Sequence, residues 1–220
     1  MNKRKNKNEF ITPDAILCEG ADATYFIIKY LEYLIKKNNE FESFCAFDFG
    51  GVEELSTFLD EAKSYPGFDS VRSILILRDS ELCFNSAVRS IQSALVNNGY
   101  PTPANPHEIA YNNTISVAYS LFPMLSKNGT SGTLENLILR NLKEEDVDVI
   151  LNEVDGFIEK LNERGRSFSW PHKTKLHTYF SVTDRFVTMK LSEAVAAGAF
   201  NYECDEMNSL KELLTSLIHN

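Results

Sequence analysis

The sequence alternates short apolar runs with amphipathic helical patterns, and this alternation constrains the fold more than any other feature. The runs that read as strands are residues 15–18, 44–49 and 71–77. Each run ends abruptly in glycine or charged residues and is followed by apolar residues at helical spacing. Near-continuous hydrophobic strands separated by such helices are typical of a parallel sheet covered on both faces. The sequence therefore predicts an α/β, Rossmann-like fold with a mostly parallel sheet flanked by helices.

The later part of the sequence is mostly helical in pattern. Residues 114–121 read as a fourth strand, after a loop with three prolines between residues 99 and 106. Helical patterns follow near residues 146–162, 173–180, 191–197 and 207–218. We interpret residues 1–13 as a basic flexible tail, 14–142 as the α/β core and 143–220 as a helical elaboration of the same domain. Trp170 is interpreted as an anchor of this helical part on the sheet rather than as a base-stacking platform.

The net charge argues against one class of function. At pH 7 the formal charge is -9 and the pI is near 5.0, whereas a protein that coats nucleic acid through bulk electrostatics needs a wide cationic surface. Local attraction stays open, because the later part of the chain is cationic around Arg164, Arg166 and Lys175, which are the candidate nucleic-acid contacts. Solvated surface is the alternative interpretation of these charges.

The cysteines and the hydropathy pattern together indicate the compartment of the protein. The four cysteines form no CxxC pair, and we interpret them as reduced core thiols. No apolar run approaches the length needed to cross a bilayer, and the basic start of the sequence has no hydrophobic core after it. We therefore expect a cytoplasmic protein without a membrane partner.

Acidic residues follow two of the predicted strands at the point where each strand ends. Glu19 follows the first strand, and Asp79 with Glu81 follows the third. Ligands bind open parallel sheets beyond the carboxyl ends of the strands. The side chains of acids two residues apart reach the same site there if the backbone stays extended. Clustered carboxylates repel one another unless a cation neutralises them, so we expect Mg2+ or Mn2+ to bind there. Each acid taken alone is more often a helix cap or a solvated side chain.

Two motifs in this framework resemble the Toprim family. Residues 16–22, Ile-Leu-Cys-Glu-Gly-Ala-Asp, look like its first motif, and residues 74–81, Ile-Leu-Ile-Leu-Arg-Asp-Ser-Glu, look like its second, with glutamate in place of the second aspartate. More narrowly, the chain is similar to small stand-alone Toprim-like proteins of unassigned function over about residues 14–217. The resemblance implies a Toprim-like core whose acids bind magnesium during phosphodiester chemistry, as in the nucleases of the OLD family.

The resemblance also implies roles for residues outside these strand ends. Glu135 resembles an acid that contributes to a second metal in the nuclease branch, with Asp22 as a further ligand. Lys173 stands where a lysine assists catalysis by stabilising the charged transition state.

Two functions follow as expectations. The first is a magnesium-dependent nuclease acting on DNA or RNA, in phage defence or genome maintenance, where Asp79 and Glu81 bind the first ion and Glu19 holds metal or acts as general acid or base. The second is a non-catalytic regulatory module that serves a partner such as an ATPase. The altered second motif and the acidic charge favour the second. The sequence leaves the oligomeric state open, and a homodimer is compatible with it.

Overall fold

A computed structural model describes residues 9–125 and 129–219 of the chain. Within them the strands are β1 (Asp14–Cys18), β2 (Phe44–Asp48), β3 (Ser73–Asp79), β4 (Ile109–Tyr111) and β5 (Ser116–Phe122). The α-helices are α1 (Gly20–Ile35), α2 (Leu55–Ala62), α3 (Phe84–Asn97), α4 (Leu134–Arg140), α5 (Val147–Glu163), α6 (Pro171–Val182), α7 (Leu191–Ala196) and α8 (Asp205–Ile218). Short 3-10 helices lie at Asn39–Ser43, Val52–Glu54 and Phe68–Ser70.

The strands form one sheet in the order β2-β1-β3-β5-β4. Four of them are parallel, and β4 pairs antiparallel with β5. The α/β class and the mostly parallel, helix-flanked sheet are therefore confirmed. The sequence pattern does not predict β4, because this edge strand has three residues and is only partly buried.

The three central strands are buried along almost their whole length. Every residue of β1 and β5 is buried, and in β3 only the last residue, Asp79, is half-buried. Strands covered on both faces need apolar side chains on both faces, which explains why their sequences are continuous apolar runs. These strands also bury a few polar residues, among them Asp14, Ser73 and Ser120.

Helices cover both faces of this sheet. One face packs with α2 and α3 in a core that includes Leu17, Leu59, Ile76, Ile91 and Tyr119. On the other face α1 approaches β5 through Phe26 and Phe122, whose ring centroids are 6.3 Å apart. Phe122 is joined to Pro123 by a cis peptide bond.

The closing helix α8 packs on the same face as α1. The Tyr30 hydroxyl of α1 donates a buried 2.6 Å hydrogen bond to the Met207 carbonyl of α8. The buried residues of α8 recur at helical spacing: Met207, Leu210, Leu213, Leu214 and Leu217. This spacing gives α8 one apolar face, which is the face it buries.

The chain divides into two compact units. The first unit comprises the chain up to Leu134 together with the segment from Tyr202 onward, and the second runs from Glu135 to Asn201. The sequence-based boundary at residue 143 differs from this division in two ways. The second unit begins earlier, near the start of α4, and α8 belongs with the sheet because it buries its apolar face there.

The second unit is built from helices. In it α5 packs against α6, and Leu142 pairs with Phe200 in an isolated β-bridge. Of the residues of α5, Val154 is the one fully buried. The rings of Phe180 and Phe186 lie 5.7 Å apart, centroid to centroid, in an edge-to-face contact.

The proposed basic tail, residues 1–13, lies largely outside the described residues, which begin at residue 9. Phe10 is buried, and its ring centroid lies 4.6 Å from that of Phe47. The first unit therefore uses the chain for core packing from Phe10 onward, four residues before β1.

Among the described residues, no helix has the length and apolar character needed to span a membrane.

The four cysteines are free thiols with different surroundings. Cys18 and Cys204 are buried, Cys45 is half-buried and Cys83 is exposed. Their interpretation as core thiols is therefore wrong for Cys83, which precedes α3 on the surface.

Candidate functional site

The carboxyl ends of β1 and β3 bring two of the predicted acids to one edge of the sheet. These strands are parallel neighbours in a register that pairs Cys18 with Leu77. The Glu19 N–H continues the ladder by donating to the Leu77 carbonyl at 3.0 Å. Glu19, which directly follows β1, and Asp79, the last residue of β3, therefore lie at the same edge, as the βα pattern predicts.

Glu19 forms an ion pair with a buried arginine. Its Oε2 lies 3.4 Å from Nε of Arg78, and the two side chains are 14% and 3% exposed. The Arg78 Nη1 also donates to the Ser90 hydroxyl of α3 at 3.1 Å. A buried guanidinium needs a nearby anion because desolvation of a charge is costly. Glu19 therefore neutralises Arg78 as well as facing the edge of the sheet.

Asp79 connects the end of β3 to the start of α4. Its Oδ1 accepts a 2.9 Å hydrogen bond from the Leu134 N–H, in the first turn of that helix. The N–H groups of a first helical turn lack partners within the helix, so a carboxylate is a favourable acceptor there. The interpretation of Asp79 as a helix cap therefore has a geometric basis, alongside its interpretation as a metal ligand.

Ser80 and Glu81 fasten the loop that precedes α4. The Ser80 hydroxyl is fully buried and lies 2.7 Å from the carbonyl oxygens of Phe122 and Thr130 and 3.2 Å from that of Gly132. The Glu81 N–H donates to the Gly132 carbonyl at 2.9 Å. Glu81 has φ of 53°, a left-handed conformation that is uncommon outside glycine. The condition of an extended backbone, on which Asp79 and Glu81 would reach the same site, is therefore not met at Glu81.

Asp48 is a third acid at the same edge, and it is not among the predicted site residues. It is the last residue of β2 and pairs in register with Cys18. Its side chain is exposed, and its Oδ1 accepts from the Gly50 N–H at 2.8 Å. Burial raises the pKa of the neighbouring Cys18 thiol, and the negative charge of Asp48 raises it further. Asp48 was missed because the predicted strand ran through it to Phe49.

Of the remaining predicted ligands, Asp22 is an exposed residue in the first turn of α1. In the second unit Glu135 is 5% exposed, and its Oε1 lies 3.4 Å from Nζ of Lys173. The same ammonium lies 5.7 Å from the ring centroid of Trp170. Lys173 is therefore paired with a buried carboxylate and lies near an aromatic ring, while its own side chain is 48% exposed.

The three predicted nucleic-acid contacts differ in their partners. Lys175 donates a 2.7 Å hydrogen bond to Oδ2 of Asp155, so its charge is largely neutralised within the second unit. Arg164 and Arg166 are exposed, and neither forms an ion pair with any described residue. Trp170, which was interpreted as an anchor of the helical part on the sheet, is 54% exposed.

The donor chemistry of the acidic edge fits a hard cation, since Glu19, Asp48, Asp79 and Glu81 offer carboxylate oxygens and no nitrogen or sulfur ligand. Within residues 9–125 and 129–219, no three His, Cys, Asp or Glu side chains are grouped closely enough to hold an ion. Arg78 and the Leu134 N–H already engage oxygens of Glu19 and Asp79. Metal binding at this edge would compete with those two contacts.

The comparison with known families covers nearly the whole chain. Residues 13–219 match a family model described as "Protein of unknown function (DUF3226)". The chain belongs to the DUF3226 family. No curated protein and no solved structure matches it. The DUF3226 match includes every candidate residue from Glu19 to Lys175, and its description names no activity.

Proposed function

We propose that this chain is a divalent-metal-dependent nuclease of the Toprim type, acting on DNA or RNA with Mg2+ or Mn2+ as its cofactor. The observation that carries the proposal is the meeting of acids from neighbouring parallel strands at one carboxyl edge, Glu19 after β1 and Asp79 at the end of β3. Ligands of open α/β sheets bind at this edge. The resemblance of the two strand-end motifs to Toprim motifs supports the same conclusion.

The chain's own residues would orient this chemistry. Arg78 forms an ion pair with Glu19, and the Leu134 N–H donates a hydrogen bond to Asp79. Asp48 adds a negative charge on the adjacent strand. A divalent ion held by such oxygens activates water and stabilises charge on the phosphate. The further roles of Asp22, Glu135 and Lys173 stay predictions.

The proposal includes a cytoplasmic setting, in phage defence or genome maintenance. The four free cysteines support the cytoplasmic setting, because extracellular proteins commonly pair their thiols.

A cleavage assay with a matched control tests the proposal. The purified protein is incubated with single- and double-stranded DNA and RNA, with Mg2+, Mn2+ or EDTA. We expect cleavage that requires the ion and falls by about a hundredfold or more in Asp79→Asn, a loss of the size seen for one key transition-state group. Asp69→Asn, which changes an exposed acid in the 3-10 helix before β3, is the control and should cleave at the parental rate. A parent protein that cleaves nothing with any divalent ion would end the nuclease proposal.

A second candidate is a non-catalytic module that works with a partner such as an ATPase. The observation that favours it is the engagement of Glu19 by Arg78 and of Asp79 by the Leu134 N–H, since both contacts stabilise the fold by themselves. Calorimetric titration with Mn2+ separates the two candidates. Binding that is lost in Asp79→Asn supports the nuclease, whereas absent binding together with absent cleavage supports the module.

A further inference from the structure

Residues 164–183, which run from the end of α5 through α6, are cationic in a chain that is acidic overall. None of residues 164–183 is Asp or Glu, although the whole chain carries a formal charge of -9. The first part of this stretch, residues 164–175, contains Arg164, Arg166, Lys173 and Lys175. We call residues 164–175 the cationic segment. A local run of one sign in a chain of the opposite sign favours a partner of complementary charge.

Two cations of this segment are available to such a partner. Lys173 and Lys175 are engaged by Glu135 and Asp155 within the second unit. Arg164 and Arg166 are exposed and form no ion pair within the described part of the chain. Their guanidinium groups are planar donors that match phosphate oxygens.

The segment also presents an aromatic ring to solvent. Trp170 is 54% exposed, and its carbonyl accepts from the Thr174 N–H at 2.9 Å. Pro171 occupies the first turn of α6 and restricts the backbone beside it. The tryptophan backbone is thereby fixed at a helix start while its indole remains accessible. Because this backbone is already held in place, it loses little conformational freedom when a flat ligand stacks on the indole.

We propose that the cationic segment binds single-stranded nucleic acid, with Trp170 stacking on an unpaired base and Arg164 and Arg166 contacting phosphates. The inference rests on the proposed function and deepens it by naming the strand state of the substrate. An indole can stack only on a base whose face is exposed. A duplex hides these faces between its stacked base pairs. Aromatic and arginine side chains also occur at protein interfaces, but the absence of acids from residues 164–183 favours a polyanion.

The fluorescence of Trp170 reports on this site directly, because it is the only tryptophan of the chain. The parent protein is titrated in EDTA with oligothymidylate, with a duplex of equal length and with heparin. We expect saturable quenching by the single strand, and little quenching by the duplex or by heparin, which carries charge without bases. Equal quenching by heparin, or none by oligothymidylate, would overturn the proposal.

Variants assign the contacts. Labelled oligothymidylate followed by anisotropy should bind Trp170→Ala about ten- to a hundredfold more weakly, the effect of removing one stacking platform. Trp170→Phe should retain part of the affinity. Phe157→Ala is the matched control, since Phe157 is a 53% exposed aromatic residue on α5 outside the segment, and it should bind like the parent. If Trp170→Ala binds like Phe157→Ala, the stacking role is refuted.

The arginines are tested by salt dependence. Arg164→Gln and Arg166→Gln should each lower the slope of log affinity against log salt by about 0.7, the value for one phosphate contact to a single strand. An unchanged slope in both would refute their role. Binding is measured in EDTA, which prevents metal-dependent cleavage, and cleavage is measured separately with Mg2+ or Mn2+. Binding in EDTA together with no cleavage in either ion would leave this inference standing while the nuclease proposal fails. If Trp170→Ala changes neither cleavage nor binding, the stacking role is refuted while the nuclease proposal stands.

Discussion

At the scale of single residues, Arg78 has the largest influence on the candidate site. It is an arginine inside an apolar strand, 3% exposed, and its charge is compensated by Glu19. The sequence places Glu19 and Asp79 correctly, because the ends of parallel strands share an edge. The pairing of Glu19 with Arg78 could not be predicted, since it depends on which face of β3 the arginine occupies and how deeply it lies. An arginine in an otherwise apolar run was nevertheless a signal that a buried anion would be near.

Glu19→Gln should destabilise the protein even without metal. The substitution leaves the Arg78 guanidinium buried without its anion, and breaking a buried pair in this way costs about 3 kcal/mol. Urea unfolding in EDTA, followed by circular dichroism, measures the loss. Glu19→Gln combined with Arg78→Met should recover much of the stability, because no uncompensated charge remains. A Glu19→Gln protein as stable as the parent would show that the ion pair carries little energy.

Cys83 should be the fast-reacting thiol of the chain. A hydrogen bond with the Ser86 side chain lowers the pKa of Cys83, whereas burial raises the pKa of Cys204 to about 11. Since the thiolate is the nucleophile, Cys83 should react with iodoacetamide at a lower pH than an ordinary thiol. Mass spectrometry of briefly alkylated protein identifies the site. Ser86→Ala should move the reactivity of Cys83 to higher pH, and Cys83→Ser should remove the fast phase.

At the scale of secondary-structure elements, the sequence predicted the parts whose burial determines their composition. β1, β3 and β5 lie in the middle of the sheet, so their apolar runs are long and unmistakable. β4 is short and lies at the edge of the sheet, where partial burial does not require a long apolar run. The turn after β3 could not be predicted either, because the left-handed Glu81 follows from tertiary hydrogen bonds to a loop about fifty residues away.

Ser80 should hold that turn to the loop before α4. Ser80→Ala removes a buried hydroxyl that has three carbonyl oxygens within reach, and we expect a loss of about 1–3 kcal/mol from the unpaired acceptors. Native-state hydrogen exchange should show faster exchange at the Glu81 amide, which donates to Gly132. Ser181→Ala is the control, since that exposed hydroxyl bonds within its own helix, and it should change stability by less than about 0.5 kcal/mol. Equal losses in the two variants would contradict the role of Ser80.

At the scale of the whole molecule, the first unit is discontinuous in the chain. The strands and α1 to α3 precede the second unit, and α8 follows it. Hydropathy shows that α8 has an apolar face, but not which surface that face covers. The Tyr30 to Met207 hydrogen bond identifies the partner surface as that of α1. From hydropathy alone, α8 is therefore grouped with its neighbours along the chain rather than with the sheet.

Leu214→Ala, a substitution in the last helix of the first unit, should destabilise that unit. Leu214 is fully buried on α8, and removing such a leucine side chain costs about 2–5 kcal/mol. Urea unfolding by circular dichroism provides the measurement. Ser216→Ala, two residues further along the same helix and exposed, should stay within about 0.5 kcal/mol of the parent. If the two substitutions have the same effect, α8 is not part of the core.

The return of α8 to the sheet has a consequence for synthesis on the ribosome. Translation delivers the five strands first, then the whole second unit, and only afterwards the helix that covers α1 and β5. A nascent chain therefore carries an uncovered apolar surface for as long as the second unit is being made. We expect chaperones that hold unfinished proteins to bind this surface, and to be released when α8 emerges from the exit tunnel.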